Sequence, residues 1–382
     1  MISPYPGRGG GGLASGVAPY TASLVEALAD EGLSVHVVAP VAAGEPTVEQ
    51  RGRVVVERGY RPGPLALPQA ALAAARTGAK VVHLQHETFL FGGTSSIPGL
   101  LPALGILRSG GRRSVVTLHQ VVDPGEVDQA FTRLHRVHVP PAAARWGLRG
   151  QQGSIRLLST ATVVHAARFA ELVPGSFVVP IGLTRRRPEP AAEARQALEL
   201  PNDALVALCF GFVAPYKGLE VALEAARVAG PAVHLVVAGG PHPRLAGNGD
   251  GYAADLEARY QEVARFTGFV PAGDVRRWFS AADVVLLPYP RPFAGSAAFA
   301  EALAYGAPVL CSPALAACLG LPREVVAPVD PSGLADRLVC LAEDRTALAE
   351  LGAIVEGLAV GSSWRDVARR HLAIYAGRAD AR

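Results

Sequence analysis

Lysine is almost absent from this chain: of 36 basic residues only Lys80 and Lys217 are lysines, and arginine supplies the rest. In such a chain a retained lysine points to a place where a compact ammonium serves better than a planar guanidinium. Long apolar runs are missing as well. Half of the residues are hydrophobic, yet no run reaches the ~18 needed to span a bilayer, and Met1–Pro6 has neither the charged nor the apolar region of a signal peptide. Cysteine is scarce, and Cys209, Cys311, Cys318 and Cys340 show no C-x-x-C spacing. They read as buried or incidental thiols of a cytoplasmic protein. A net charge of +3 is too small to indicate nucleic acid. The short arginine groups Arg112-Arg113, Arg185-Arg186-Arg187 and Arg369-Arg370 read as solvated basic faces, with a peripheral membrane contact as the alternative.

What remains is an alternating pattern. Apolar, β-branched runs are expected as strands at Val35–Ala39, Arg53–Glu57, Lys80–Leu84, Ser114–Leu118, Thr162–His165 and Ser176–Ile181. A second series follows at Leu205–Phe210, Val233–Ala238, Ala264–Phe269, Asp283–Leu287 and Pro308–Cys311. Most lack polar alternation, as parallel strands covered on both faces do. Helical stretches separate them; in Val17–Asp30, Val17, Tyr20, Leu24 and Leu28 share one face. A chain of 382 residues accommodates two such α/β units, with the break at Pro180–Pro190. Ligands of doubly wound sheets sit beyond the carboxyl ends of the strands, so the chemistry is expected in a cleft between the units.

Two segments carry that chemistry. Gly211-Phe212-Val213-Ala214-Pro215-Tyr216-Lys217-Gly218 follows a strand and opens a helix, which sets an ammonium beside free backbone N–H groups and makes an anion site. The second runs from Ala294 to Leu310. Its small residues Gly295, Ser296, Ala297 and Ala298 let a ligand approach a helix start, and Glu301 follows among apolar neighbours. A carboxylate so placed needs partners such as a ribose diol or a structural salt bridge.

Together these segments resemble the retaining, family 4-type glycosyltransferases. Further matches run along nearly the whole chain: Ser15-Gly16-Val17-Ala18-Pro19-Tyr20, Val81-Val82-His83-Leu84-Gln85-His86, Val115-Val116-Thr117-Leu118-His119, Val179-Pro180-Ile181-Gly182, Val236-Val237-Ala238-Gly239-Gly240, Gly268-Phe269-Val270 and Ser363-Trp364. The resemblance implies the GT-B architecture. Residues 1–182 would form the acceptor-side domain, residues 183–361 would bind the nucleotide sugar, and residues 362–382 would cross back. It implies Lys217 on the leaving diphosphate, Glu301 on the donor ribose and Val270 near the base. The amides of Gly295, Ser296 and Ala297 would face sugar or pyrophosphate, with Gly211 and Gly239 alongside. Gly16 and His119 would line the acceptor side. His86 and Glu87, at a strand end, are read as acceptor contacts. The co-substrate would be a nucleotide sugar, with no other cofactor and no metal; the acceptor would be a small molecule, a lipid-linked group or a polymer.

The chain departs from the family pattern at Phe212, where an arginine is usual, and at Phe293, where a second glutamate is usual. Arg291 is the expected replacement cation. These departures leave a catalytically impaired sugar-nucleotide-binding partner, or an epimerase of the same fold, as alternatives. Ile2-Ser3-Pro4-Tyr5-Pro6 reads as the tail of a first strand, implying either a start upstream of Met1 or a shortened central strand. Gly7–Gly12 satisfies G-x-G-x-x-G but lacks a complete strand before it, so it reads as a loop over the cleft rather than a dinucleotide fingerprint. A metal-dependent transferase of the other major fold would need a D-x-D pair, which does not occur; His83-Leu84-Gln85-His86-Glu87 and His135-Arg136-Val137-His138 each lack a clear third ligand.

Overall fold

Runs of Val, Leu and Ala that cannot face water on either side must lie in a covered parallel sheet, and the chain builds two of them. The computed structural model describes residues 1–7, 16–134, 137–242, 251–291 and 296–379. In the first half the strands are β1 (Val35–Pro40), β2 (Val48–Arg51), β3 (Val54–Tyr60), β4 (Val81–His86), β5 (Arg113–Leu118), β6 (Ala161–Val164) and β7 (Phe177–Val178). In the second half they are β8 (Leu205–Phe210), β9 (Val233–Ala238), β10 (Ala264–Phe266), β11 (Val284–Leu287) and β12 (Val309–Cys311).

The second sheet has the order β10-β9-β8-β11-β12, parallel at every pairing. The first consists of β2-β3-β1 and β4-β5-β6-β7, joined by the first residues of the chain. Ile2 bridges Val38 on one side and Leu84 on the other. Its N–H donates to the His83 carbonyl at 2.8 Å, and its carbonyl accepts from Gln85 at 3.0 Å. Between the two parts of the sheet this segment contributes Ile2 as a bridged residue, fully buried.

Three differences from the sequence pattern have local causes. Strand β2 pairs antiparallel with β3; Val48-Glu49-Gln50-Arg51 is mostly exposed and carries no apolar signal. The strand expected to reach Phe269 ends at Phe266, because Gly268 turns the chain at φ +65°. Phe269 is left 75% exposed. The strand expected over Ser176–Ile181 shrinks to Phe177–Val178 ahead of Pro180, whose ring nitrogen cannot donate to a ladder.

The terminal helix Trp364–Ala376 returns to the first half. Val367, Ala368 and Ile374 pack with Tyr20, Leu24 and Leu28 of the helix Val17–Asp30, while Arg365 and Arg369 reach Glu31 at 3.0 and 3.3 Å. Ser363 forms a bridge with Leu183. Beside it, a Cβ on Gly182 would fall 2.3 Å from Trp364 Cδ2.

Under this helix lies a group of buried histidines. His83 Nε2 lies 2.7 Å from Thr117 Oγ1 and Nδ1 2.6 Å from the Tyr375 hydroxyl. His119 sits between Gln85 (2.8 Å) and His165 (3.2 Å); His165 reaches the Val179 carbonyl at 2.9 Å. Burial pushes His86, His165 and His371 down to about 4. It also holds His83 and His119 well below the ordinary histidine range, with neighbouring histidines adding to the effect.

Two outcomes follow from this packing. Gly182→Val forces a branched side chain into the Trp364 ring and should lower stability by about 1–3 kcal/mol, read as a fall in Tm. The histidines give a pH dependence of definite sign. All five have folded-state pKa values below the unfolded value of 6.5, so the unfolded chain binds more protons between about pH 6.5 and 4. Their contribution is complete above about pH 6.5 and is lost as pH falls toward 4. Denaturant titrations should show stability rising with pH across this window with a slope of several protons; a flat profile would contradict the assignment.

Candidate active site

The carboxyl ends of both sheets open on one cavity of about 960 Å³. From the second half its wall includes Gly211, Lys217, Gly239, Val270, Arg291, Ser296, Ala297 and Glu301, and from the first half Gly16, Glu87 and Gln120. Phe293 and Gly295 lie outside the described residues, as do the glycine loop from Gly9 to Gly12 and the pair His135-Arg136.

Glycines shape the wall. Gly211, at φ +104°, ends β8, and a Cβ on Gly239 would lie 2.0 Å from the Gly211 carbonyl oxygen. The loops after β8 and β9 therefore touch backbone to backbone. Gly218, at φ +64°, has the Pro288 carbonyl 2.3 Å from where a Cβ would stand. Between Gly211 and Gly218 the chain makes the short turn Pro215–Lys217, and Lys217 emerges half-buried at the cavity.

Lys217 Nζ donates to the Tyr289 hydroxyl at 2.6 Å and sits 4.4 Å from the centre of that ring. Burial works against its charge, but Tyr289 and Tyr216 outweigh it and hold its pKa above the ordinary lysine value. The ammonium is therefore charged at neutral pH. The Tyr289 hydroxyl lies 3.3 Å from Ser296 Oγ, and Ser296 caps the helix Ala297–Tyr305 by accepting from the Phe299 N–H at 3.1 Å. One chain of polar contacts thus links the lysine to a helix N-terminus, where the helix dipole also favours an anion.

Glu301 is one turn further along. Its Oε2 is 3.4 Å from the Arg186 guanidinium but accepts no hydrogen bond. Burial raises its pKa, and Arg186 opposes this. A buried carboxylate oxygen without a donor is costly, and this one belongs to a residue of the cavity wall. Arg186 also donates to the Tyr305 hydroxyl at 3.1 Å, and Arg185 pairs with Glu356 at 2.6 Å. The arginine group at 185–187 is exposed, as a solvated basic face is, and two of its members also contact the Glu301 helix and its neighbour.

On the first-half side the expectations divide. Gly16 and Glu87 line the cavity; His119 and His86 do not. His119 is 8% exposed, and its two ring nitrogens face Gln85 and His165. His86 turns inward to the Gln151 amide, 3.0 Å away. Both are buried side chains off the described cavity wall. Gln120, next to His119, takes the place on the wall. Arg291 reaches across from the second half to Asp128 in a forked contact of 3.2 and 3.3 Å.

Sequence reasoning did not single out Tyr289, Arg186 or Gln120. Tyr289 falls outside the two segments singled out, and only the fold brings it to Lys217. Among the described residues no three or more His, Cys, Asp or Glu side chains gather as a metal site, and no helix is long and apolar enough to cross a membrane.

Residues 204–344 match the model of the glycosyl transferases group 1 family. A D-inositol 3-phosphate glycosyltransferase 2 from Catenulispora acidiphila is 30% identical over 90% of this chain and 85% of its own length. A second such protein from the same organism is 28% identical over 96% and 91%. Among solved structures, the sucrose-phosphate synthase of Thermosynechococcus elongatus superposes with a TM-score of 0.71 at 20% identity, over 94% of this chain and 92% of its own. Anabaena HepE in complex with UDP gives 0.70 at 15% identity, over 98% of each chain. Fold, motif order and relatives agree: the chain belongs to the group 1, family 4-type glycosyltransferases and has their GT-B fold of two Rossmann-like domains.

Proposed function

We propose that the chain transfers a glycosyl group from a nucleoside-diphosphate sugar to an acceptor hydroxyl, with retention at the sugar carbon and without a metal ion. Residues 183–361 hold the donor, residues 1–182 receive the acceptor, and residues 362–382 tie the two together; the reaction belongs to the cytoplasm. The observation that carries this reading is the Lys217–Tyr289–Ser296 chain at the start of the Ala297–Tyr305 helix. It aims a fixed ammonium and a helix N-terminus at one region of the cavity.

In the transfer the bond from the sugar carbon to the diphosphate oxygen breaks and a bond from the acceptor oxygen forms. The acceptor proton passes to the departing phosphate. Negative charge grows on the diphosphate, and preorganised donors facing that charge are the main catalytic lever in a water-poor cleft. Lys217 supplies the charge and Ser296 and Ala297 the helix start. Arg291 adds a second cation once it leaves Asp128. Glu301, whose Oε2 faces Arg186 at 3.4 Å but accepts no hydrogen bond, suits a ribose hydroxyl. The nucleobase fits against Val270 and Phe269 on the rim. The UDP complex of HepE supports uracil as the base.

Calorimetry with UDP, GDP, dTDP and ADP should give tightest binding for UDP. Lys217→Ala removes a charge-assisted contact worth ~1.5–3 kcal/mol and should weaken it roughly 10- to 150-fold. Arg291→Ala should cost about tenfold on the same basis; unchanged affinity and turnover would remove Arg291 from the donor site. Glu301→Gln keeps the side-chain shape, so loss of UDP affinity there with retained folding would locate the ribose.

A further inference from the structure

Three helices of the first half, Ala66–Arg76, Leu100–Ser109 and Pro141–Leu158, lie over one face of its sheet. Ala70 and Ala74 from the first, Leu104 and Leu107 from the second and Ile155 from the third join one core with Leu84 and Val116 of the strands. With their inner faces buried there, the helices form a layer whose opposite faces look outward together.

That outward surface carries large apolar side chains. Trp146 is 74% exposed and Leu157 70%, with Leu101 and Leu72 about half exposed at 52% and 49%. The other tryptophans, Trp278 and Trp364, are buried and half-buried. The surface is also basic. Every residue of the three helices is described, and they contain no Asp or Glu, whereas Arg76, Arg108, Arg149 and Arg156 stand exposed on them. The whole chain is nearly balanced, with 36 basic and 33 acidic residues. Asp123 and Glu126 lie at one flank of the layer, on the turn that Arg145 and Gln152 hold through the carbonyls of Val127 and Val122.

The third helix shows the pattern best. Trp146, Arg149, Gly153, Arg156 and Leu157 recur at helical spacing on its exposed side. Its Gln151 and Ile155 are buried, and Ala144, Gly147 and Leu148 line the cavity. Indole and leucine side chains among arginines suit a bilayer interface, where the apolar groups enter the headgroup region and each guanidinium meets a lipid phosphate. We propose that this layer docks on an anionic lipid surface, with Trp146, Leu101 and Leu157 at headgroup level and Arg108, Arg149 and Arg156 on lipid phosphates. A second copy of the chain is the poorer occupant, because a self-complementary contact sets arginine against arginine with no carboxylate from the three helices between them. Docking holds the cavity, which the same helix lines, beside the headgroups.

Flotation of the full chain with lipid vesicles tests this. Vesicles of phosphatidylcholine with phosphatidylglycerol should bind it, vesicles of phosphatidylcholine alone should not, and added salt should weaken binding. Tryptophan emission should shift to the blue on binding and be quenched by brominated acyl chains, and Trp146→Phe should lose most of that signal. A basic residue close to an anionic surface adds roughly fivefold to the binding constant, so Arg149→Gln with Arg156→Gln should lower it about 25-fold. Trp146→Ser should lower it about tenfold through lost apolar burial. These side chains are exposed and off the cavity wall, so an unchanged Tm should show that the variants fold. No binding to the anionic vesicles, equal binding to neutral ones, or wild-type binding by both the double arginine variant and Trp146→Ser would overturn the inference. Self-association of the chain that those variants abolish would also overturn it and give the face to a second copy. Vesicle binding is read without nucleotide, so its failure is distinct from failure of the transferase reading.

Discussion

The close approach of Gly239 to the Gly211 carbonyl fixes the site. Parallel strands β8 and β9 end side by side, and their loops can fold toward the same space only if backbone meets backbone. Any Cβ at Gly239 would overlap the Gly211 oxygen at 2.0 Å. Gly218 meets Pro288 under the same constraint. These contacts draw three loops together, so Lys217, carried on the first, reaches Tyr289, carried on the third. The polar chain to the helix at Ala297 is a consequence of backbone packing, not of attraction between the charged groups themselves.

Much of this was legible in the sequence for the reason that makes parallel sheets readable: buried on both faces, their strands appear as unbroken apolar runs. Leu205–Phe210 and Val233–Ala238 match at both ends. Strand β2 escaped because its side chains are polar and its pairing lies at an edge, where pattern gives no signal. Lys217 stood out through rarity, and Glu301 through its apolar surroundings. His119 and His86 mark the limit of pattern, since a histidine after an apolar strand looks the same whether it faces a cleft or a core. The deciding facts are the positions of Gln85, Gln151 and His165, each far along the chain from the histidine it meets. Tyr289 and Arg186 were hidden likewise: their roles exist only through partners brought by the fold.

The buried histidines show how the first half tolerates so many imidazoles. Each is kept neutral by burial, and several have their nitrogens matched to carbonyl, hydroxyl or amide groups. The terminal helix contributes His371 and Tyr375 to this cluster. The segment that crosses back is therefore part of the first domain's polar interior as well as a tie between domains.

At the cavity wall the two halves meet through the ion pair of Arg291 with Asp128, both side chains about half exposed, at 43% and 53%. Exposed pairs are worth about 0–1 kcal/mol, so this contact holds the halves only weakly. Both bonds leave from Nη1, so Nη2 and Nε of Arg291 take no part in this contact. Under the proposed donor site, a diphosphate beside Lys217 would carry more charge than the Asp128 carboxylate and would compete with it for Arg291. The described part of the cavity wall is uneven in charge as well: Lys217, Arg291 and His242 line it from the second half and Glu87 from the first, so the contact of Arg291 with Asp128 sits on its cationic side.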